Sequence, residues 1–214
     1  MAKPPVLVID DHAIVATSLV LALRGQGIPA RRCPVTSEAE IIAEAESGDQ
    51  RGLVLLDMDL GLDVDGADLV LPLKAAGWRV LVVTGSSSRN RIAAAIVAGA
   101  IGWVSKTAPF EQLVQAAAAA VHGKSMLSEQ ERRELYELNR GDQDRTRLLD
   151  RLTTREREVL ERLAAGQRAA KVAEEFVVSV ATVRSQIRSI LAKLEVGSQL
   201  EAVALARSGG TSTR

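Results

Sequence analysis

The stretch Val6-Leu-Val-Ile9-Asp10-Asp11 places two carboxylates directly after four apolar residues. A short apolar run of this kind predicts a strand that is buried on both faces of a parallel sheet. Three later runs have a similar form and end beside another reactive side chain: Leu53–Leu56 before Asp57, Val80–Val83 before Thr84, and Ile101–Val104 before Lys106. Helical stretches separate the runs. The alternation predicts an α/β fold, a doubly wound parallel sheet of five strands whose second strand lies around residues 30–34.

Polar side chains at the strand ends predict a reactive site. Ligands of an open α/β sheet bind at the carboxyl ends of its strands, so we expect Asp10, Asp11, Asp57, Thr84 and Lys106 to lie close together. Crowded carboxylates repel one another unless a cation lies among them, and a set of oxygen ligands suits Mg²⁺. A neighbouring lysine can bind a phosphoryl group. The cluster therefore predicts chemistry in which an aspartate becomes phosphorylated.

Composition and charge suggest two domains. The chain has 214 residues, of which 47% are hydrophobic and 25% charged, as in ordinary globular proteins. Residues 1–123 carry a formal charge of −3 and the remainder +3, which fits a metal site followed by a module that binds a polyanion. The single cysteine, Cys33, excludes an intramolecular disulfide. With no long apolar stretch and no signal-peptide core, we expect a cytoplasmic protein without a membrane partner.

The order of these segments predicts where the domains divide. We expect a first domain over residues 1–123, a linker with a short helix over 124–148, and a second domain over 149–214. Ser128 and Glu131 form a capping-box pattern at the start of the linker helix, and Gly141-Asp142 is expected to break it. Within the first domain, Pro72 falls inside the expected third helix and should kink or shorten it.

The second domain reads as four short helices. Thr153 with Glu156 predicts the start of the first helix, and Ser179 the start of a longer third helix. On the outer face of that third helix, Arg184 and Arg188 lie four residues apart. Two short helices followed by a longer one with a basic outer face predict a helix-turn-helix domain, whose long helix would enter the major groove of DNA.

The order of motifs in the first domain resembles a CheY-like receiver domain of two-component response regulators. The resemblance covers residues 4–122 and rests on Asp10-Asp11, Asp57, Thr84-Gly85 and the run from Gly99 to Lys106. It implies that Asp57 is the phosphoacceptor and that Asp11, Asp57 and the backbone carbonyl of Asp59 bind Mg²⁺. It also implies that Asp10 orients a metal-bound water and that Lys106 binds a phosphate oxygen.

The same resemblance assigns a switch and exposes departures from the family pattern. Thr84 would donate its hydroxyl to the phosphoryl group, and Trp103 stands where the family has a mobile aromatic residue. Gly61 replaces the usual proline after Asp57, and the Asp65-Gly66 pair arrives one residue late. Further carboxylates add negative charge beside the site, namely Asp59, Asp63 and Asp65. These departures bear on the rate and lifetime of phosphorylation.

The second domain resembles the LuxR-type (NarL-type) DNA-binding domain over residues 149–206. The match rests on four segments: Leu152–Leu160, Ser179-x-x-Thr182-Val183, Lys193–Val196 and Glu201–Val203. The resemblance implies that Arg184, Ser185 and Arg188 face base edges and nearby phosphates, while Lys171 and Thr182 contact the DNA backbone. It also implies a dimer that forms through the fourth helix, around Val203.

Together these features predict a response regulator, not an enzyme. A sensor histidine kinase would phosphorylate Asp57, and the phosphoryl group would control dimerisation and sequence-specific binding to double-stranded DNA, with RNA polymerase as a further partner. An alternative is a transcriptional regulator with an atypical receiver that responds to a ligand or protein partner without phosphorylation. A third reading, a phosphatase, rests on the superficial likeness of Asp57-Met-Asp59 to the haloacid dehalogenase motif, which normally follows the first strand.

Overall fold

The computed structural model describes residues 3–47, 49–62, 64–85 and 88–207. The chain forms two compact units, residues 1–139 and 140–214. The boundary between them falls inside the segment expected to be the linker. No helix of the described ranges combines the length and the apolar character that a membrane span requires.

The first unit contains a five-stranded sheet. Its strands are β1 (Val6–Ile9), β2 (Ala30–Cys33), β3 (Leu53–Leu56), β4 (Arg79–Thr84) and β5 (Gly102–Ser105). The helices between and after the strands are α1 (Ala13–Gly25), α2 (Glu38–Glu46), α3 (Gly66–Ala75), α4 (Arg89–Ala98) and α5 (Phe110–Val121). The strand order is β2-β1-β3-β4-β5, and every pair is parallel. The predicted doubly wound parallel sheet is confirmed.

Alternate residues of each strand face two separate cores. Leu7, Ile9, Val54 and Leu56 contribute to the core that α2, α3 and α4 cover. Their neighbours along the strands contribute to the core beneath α1 and α5, which includes Leu19, Leu23, Leu113 and Val114. Because both of their faces are covered, the inner strands β1 and β3 consist of apolar residues without polar alternation, whereas the edge strand β2 includes Arg31 and Arg32. The polar residues that follow the strands all emerge at one edge.

Element boundaries agree closely with the sequence for this unit. β1 and β3 have the expected ends, and β5 is displaced by one residue, since it begins at Gly102. Pro72 lies inside α3, as expected, and the helix continues for three residues beyond it to Ala75. Because proline lacks an N–H donor, α3 lacks the hydrogen bond that this position would otherwise donate to the Asp68 carbonyl.

The helix α6 (Glu129–Asp150) differs most from the sequence-based expectation. The predicted break at Gly141-Asp142 is wrong, since one helix of 22 residues includes both. Glycine in a helix interior costs only about 1 kcal/mol. On the C-terminal side of the glycine, the Asp142 carboxylate binds Arg145 at 2.6 Å and the Asp142 carbonyl accepts a hydrogen bond from Thr146 at 2.9 Å. These contacts offset that cost.

The second unit is helical, as expected. After the end of α6 its helices are α7 (Thr154–Ala164), α8 (Ala169–Glu175), α9 (Val180–Lys193) and α10 (Gln199–Arg207). The capping box at Thr153 and Glu156 is present, and the Ser179 side chain accepts a hydrogen bond from the Thr182 N–H at the start of α9. Val159, Leu160, Val172, Val183 and Ile190 form the centre of one small core. This arrangement confirms the predicted helix-turn-helix fold.

Candidate functional site

Three carboxylates gather at the carboxyl ends of β1 and β3. Asp10 and Asp11 follow β1, and Asp57 follows β3, where its N–H donates to the Ile9 carbonyl at 2.9 Å. One oxygen of each carboxylate, together with a nitrogen of His12, lies within 4.8 Å of the others. The Asp57 side chain is 1% exposed, whereas Asp11 is open to solvent. The sheet therefore brings together the carboxylates predicted for the metal site and the phosphoacceptor.

Lys106, which follows the edge strand β5, contacts two of these carboxylates. Its Nζ donates to Asp57 Oδ2 at 2.6 Å and lies 2.8 Å from Asp10 Oδ2. Its backbone N–H donates to the Thr84 carbonyl at 2.8 Å, which fixes the start of the lysine relative to β4. With His12 neutral, the carboxylates outnumber the ammonium by two charges. That imbalance, and the oxygen ligands, fit a divalent cation such as Mg²⁺.

The surroundings of Asp57 and Lys106 shift the pKa of both side chains. Burial raises the pKa of the Asp57 carboxyl, and the hydrogen bond from Lys106 offsets only part of this. Burial by itself lowers the pKa of the Lys106 ammonium, but its hydrogen bonds to Asp10 and Asp57 outweigh burial, so the pKa is raised. The lysine is thus held as a cation beside a carboxylate whose charge is costly to keep in this place.

His12 stands at the N-cap position of α1, but its side chain forms no cap hydrogen bond. Its Nδ1 lies 2.6 Å from Asp11 Oδ1 and 4.0 Å from Asp57 Oδ2. The His12 side chain therefore does not cap α1. The backbone of His12 instead donates to Asp10 Oδ1 at 2.8 Å, which orients Asp10.

Arg91 is the residue that sequence reasoning missed. From α4 its guanidinium binds Asp59 at 2.6 Å and Asp65 at 2.8 Å, and it donates to the Met58 carbonyl at 2.8 Å. The hydrogen bonds that Arg91 donates to Asp65 outweigh burial and raise the pKa of Arg91 above its already high value. One guanidinium therefore binds two of the extra carboxylates after Asp57 and offsets half of their charge. Asp63 lies outside the described residues.

Gly66 stands at the end of that loop, where α3 begins. Its N–H donates to the Met58 carbonyl at 3.0 Å, and a Cβ at this position would lie 2.4 Å from the Asp57 carbonyl oxygen. Asp65 caps α3 by accepting a hydrogen bond from Ala67 N–H at 3.0 Å. Glycine at position 66 therefore allows α3 to begin directly against the backbone of Asp57.

The two residues predicted to form the switch lie on adjacent strands. Thr84 is fully buried at the end of β4. On β5, Trp103 pairs in register with Val82, and its indole Nε1 donates to Glu131 of α6 at 3.2 Å. Leu135 of α6 is 1% exposed in the same core that Trp103 contacts. One side of Trp103 thus contacts the sheet, and its polar end contacts the first turns of α6.

The basic face predicted in the second unit lies on α9. Arg184, Ser185 and Arg188 are exposed, and none of them forms a hydrogen bond or ion pair with another described residue. The Thr182 hydroxyl lies 2.8 Å from that of Ser179, and Lys171 on α8 lies 3.5 Å from Glu174. The three α9 side chains are therefore available to a partner, whereas Thr182 and Lys171 also take part in local contacts.

A buried carboxylate joins α7 to α9. Glu156 accepts hydrogen bonds from Thr153 N–H at 2.8 Å, Ser189 at 2.6 Å and Lys193 at 2.6 Å. Burial by itself raises the pKa of Glu156, but these hydrogen bonds lower it to about 2. The capping residue of α7 thereby fixes the position of α9, the helix with the basic face.

Comparison with known proteins identifies the family. Residues 6–118 match the response regulator receiver domain, and residues 150–206 match the bacterial regulatory proteins of the luxR family. The chain belongs to the two-component response regulators, with a receiver domain followed by a LuxR-type DNA-binding domain.

Individual relatives match most of the chain. The transcriptional regulatory protein DesR of Bacillus subtilis is 32% identical over 146 residues, 68% of each chain. A nitrate/nitrite response regulator protein homolog of Haemophilus influenzae is 28% identical over 214 residues, covering 95% of this chain and 96% of that protein. The solved structure of the Salmonella typhimurium response regulator RcsB is 23% identical, covers 97% of this chain and 100% of its own, and shows the same fold with a TM-score of 0.53.

Proposed function

We propose that Asp57 accepts a phosphoryl group from a phosphohistidine of a sensor kinase. An Asp57 oxygen attacks the phosphorus, the P–N bond breaks, and its electron pair leaves with the imidazole of the kinase. The observation that carries the proposal is the position of Asp57: a buried carboxylate 2.6 Å from Lys106, at the end of a parallel strand. Lys106 is positioned to offset negative charge on the transferred group.

The acidic cluster supports a magnesium requirement. Asp11, Asp57 and the backbone carbonyl of Asp59 would hold Mg²⁺, and Asp10 would orient one of its waters. The ion would supply positive charge against the phosphoryl oxygens. Asp10 is held by hydrogen bonds from the His12 backbone and Lys106, so it is oriented before any ion binds.

The contacts of Trp103 support a route from the site to the rest of the chain. Thr84 would donate its hydroxyl to the new phosphoryl group and draw in the end of β4. Trp103 would follow, which would remove its hydrogen bond to Glu131 on α6. The phosphoryl group would thus shift an equilibrium between two positions of α6. On this proposal residues 1–123 are the receiver, 124–148 the linker and 149–214 the effector domain.

The output would be sequence-specific binding to double-stranded DNA in the cytoplasm. Arg184, Ser185 and Arg188 would read bases and adjacent phosphates, while Lys171 and Thr182 would bind the backbone. Two chains would form a homodimer through contacts of α10, where Leu200 is 79% exposed and Val203 is partly buried. The homodimer would then bind paired half-sites on the DNA. Contact with RNA polymerase would then convert binding into transcriptional regulation.

The contacts of Arg91 favour a second candidate function, in which a ligand or a protein partner regulates the chain and phosphorylation plays no part. Its bonds to Asp59 and Asp65 tie the loop after Asp57 to α4. A loop held in this way could resist the rearrangement that phosphoryl transfer requires.

Intact mass spectrometry distinguishes the two candidates. The protein is incubated with Mg²⁺ and a small-molecule phosphodonor, or with phosphorylated sensor kinases, and Asp57→Asn serves as the control. One added phosphoryl group on the wild type alone is the expected result. Asp59→Asn is the matched variant and should still be modified, since only its backbone is proposed to bind the ion. Failure of every donor to modify the wild type would favour the second candidate.

The DNA-binding assignment has its own test. Arg184→Ala should weaken binding by about tenfold and relax the preference for particular bases, because a contact to a base edge contributes about 1–3 kcal/mol. Lys171→Ala should weaken binding to all sequences alike and reduce the salt dependence by about one counterion. Equal losses on specific and nonspecific DNA for both variants would contradict the assignment of α9 as the recognition helix.

A further inference from the structure

A cavity of about 380 Å³ lies in the first unit at the edge of the sheet opposite Asp57. Four cationic side chains line it: Lys74 from the end of α3, Arg79 from the start of β4, Lys124 from the loop after α5, and Arg132 from α6. No aspartate or glutamate is among the described residues that line the cavity. Its size is within the range of sites for small ligands.

The cations of this cavity lack carboxylate partners. None of the four forms an ion pair with a residue in the described part of the chain. Arg79 donates to the carbonyl of Val121 at 2.9 Å, and Lys74 reaches the left-handed Gly99 at the end of α4, where an added Cβ would lie 2.6 Å from its Nζ. The C-terminal ends of α4 and α5 therefore offset part of the positive charge of Lys74 and Arg79.

The positive charge that the helix ends leave uncompensated determines whether the cavity can bind an anion. The ends of α3, α4 and α5 approach the cavity, and each helix C-terminus carries about half a negative charge. Three such ends offset fewer than two of the four cations. Guanidinium groups such as Arg79 and Arg132 match the oxygen geometry of a phosphate, which they can bind through two hydrogen bonds.

From this geometry we infer that the cavity binds a small anion with at least two phosphoryl groups. Such a ligand bridges Lys74 and Arg79 of the receiver, and Lys124 at the start of the linker, to Arg132 on α6. Tyr136, one turn further along α6, lines the same wall. The anion therefore fastens the first turns of α6 to the receiver. Its regulatory consequence rests on the proposed function, in which phosphorylation of Asp57 releases those turns, so the anion opposes release.

Calorimetric titration of the full chain with pyrophosphate tests the site. Metal-free buffer is used, so that the acidic cluster at Asp57 repels the anion and no phosphorylation, Mg²⁺ or DNA is involved. We expect one site per chain, weakened as salt is raised. Arg132→Gln and Lys124→Gln should each reduce affinity about tenfold, as expected for loss of a charged hydrogen bond. Arg133→Gln is the matched control, since Arg133 is exposed beside Arg132 and does not line the cavity.

The outcomes separate the inference from the proposed function. Absence of binding, or equal weakening by Arg133→Gln, overturns the inference whatever happens at Asp57. Tighter binding of citrate than of pyrophosphate shows a carboxylate site and also overturns it. Lys124 is exposed, so the Lys124→Gln variant retains the test if Arg132→Gln fails to fold. Hydrogen exchange should slow in residues 124–139 when pyrophosphate is added, and unchanged exchange there contradicts the bridge to α6.

Discussion

Two buried carboxylates in this protein are each bound by a lysine, and their surroundings have opposite effects. Asp57 in the first unit is bound by Lys106, and Glu156 in the second by Lys193, each at 2.6 Å. Burial leaves the pKa of Asp57 raised, while hydrogen bonds lower that of Glu156 to about 2. The difference lies in the other neighbours of each group.

Those neighbours explain which carboxylate can react. Asp57 lies beside a second carboxylate, Asp10, which competes for the same ammonium. Glu156 has instead two hydroxyl donors and a backbone N–H in addition to its lysine. Asp57 accepts hydrogen bonds from Lys106 and from the Asp59 N–H, which is two fewer donors than Glu156 has. A buried charge with fewer donors gains more from a new partner such as a cation or a phosphoryl group. This difference fits a structural role for Glu156 and the proposed role of Asp57 as the phosphoacceptor.

Neutral amides at the two positions should give opposite results. Glu156→Gln should lower the unfolding free energy of the second unit by about 3 kcal/mol, since it leaves Lys193 without its counter-charge. Asp57→Asn should leave the first unit as stable as the wild type or more so, because a costly buried charge is removed. Both tryptophans, Trp78 and Trp103, lie in the first unit, so their fluorescence during guanidinium unfolding follows that unit alone.

For the second unit, hydrogen exchange of peptides from α7 and α9 measures stability. Glu158→Gln is the matched control: the Glu158 side chain is 44% exposed, and its ion pair among the described residues is with Arg155 on the same helix. A large loss of stability from Asp57→Asn, or none from Glu156→Gln, would contradict the comparison.

The pH dependence sharpens the same contrast. The pKa of Glu156 is about 2 in the folded protein and about 4.5 in the unfolded chain, so its stabilising effect is complete above pH 4.5. That effect is lost as the pH falls towards 2, and the shift corresponds to about 3 kcal/mol. The difference in stability between wild type and Glu156→Gln should therefore narrow over this interval. A constant difference from pH 6 to pH 2 would show that the carboxylate charge is not responsible.

Arg91 offers a way to change the acidic site without touching it. Arg91→Ala should free the carboxylates of Asp59 and Asp65 and lower the stability of the first unit by about 1–2 kcal/mol. The additional negative charge should raise the affinity for Mg²⁺ several-fold, as measured by titration of tryptophan fluorescence. Arg89→Ala is the control, since the ion pair of Arg89 with a described residue is to the exposed Glu134 at 3.8 Å and does not involve the acidic site. Equal Mg²⁺ affinity in both variants would exclude Arg91 as a modulator of the site.

Ser189→Ala should give the smallest effect. It removes one of the hydrogen bonds to Glu156, at 2.6 Å, while Lys193 and Thr153 remain. We expect a loss of about 1 kcal/mol in the second unit and a higher pKa for Glu156. Ser185→Ala, on the exposed face of the same helix, should be neutral for stability. An effect of Ser189→Ala as large as that of Glu156→Gln would mean that the hydroxyl, and not the lysine, carries the interaction.

Local signals in the sequence determined the sheet and the position of the acidic residues. Strands that are buried on both faces must be apolar throughout, so β1 and β3 could be located from composition alone, together with Asp10, Asp11 and Asp57 at their ends. The start of α7 was equally clear, because a capping box depends on residues three apart. The continuity of α6 through Gly141 was missed, since the contacts that support it lie on later turns of the same helix.

Only the tertiary structure decided the contacts between residues that are distant in the chain. Arg91 meets Asp59 and Asp65 across 32 and 26 positions, and Ser189 and Lys193 reach Glu156 across 33 and 37. Val177, at the turn before α9, adopts a left-handed conformation that its branched side chain disfavours. The sequence by itself determined which side chains have carboxylate, hydroxyl or amine groups and where they lie along the chain. Folding decided which of them are left short of partners, because burial and hydrogen bonding depend on neighbours that no local pattern specifies.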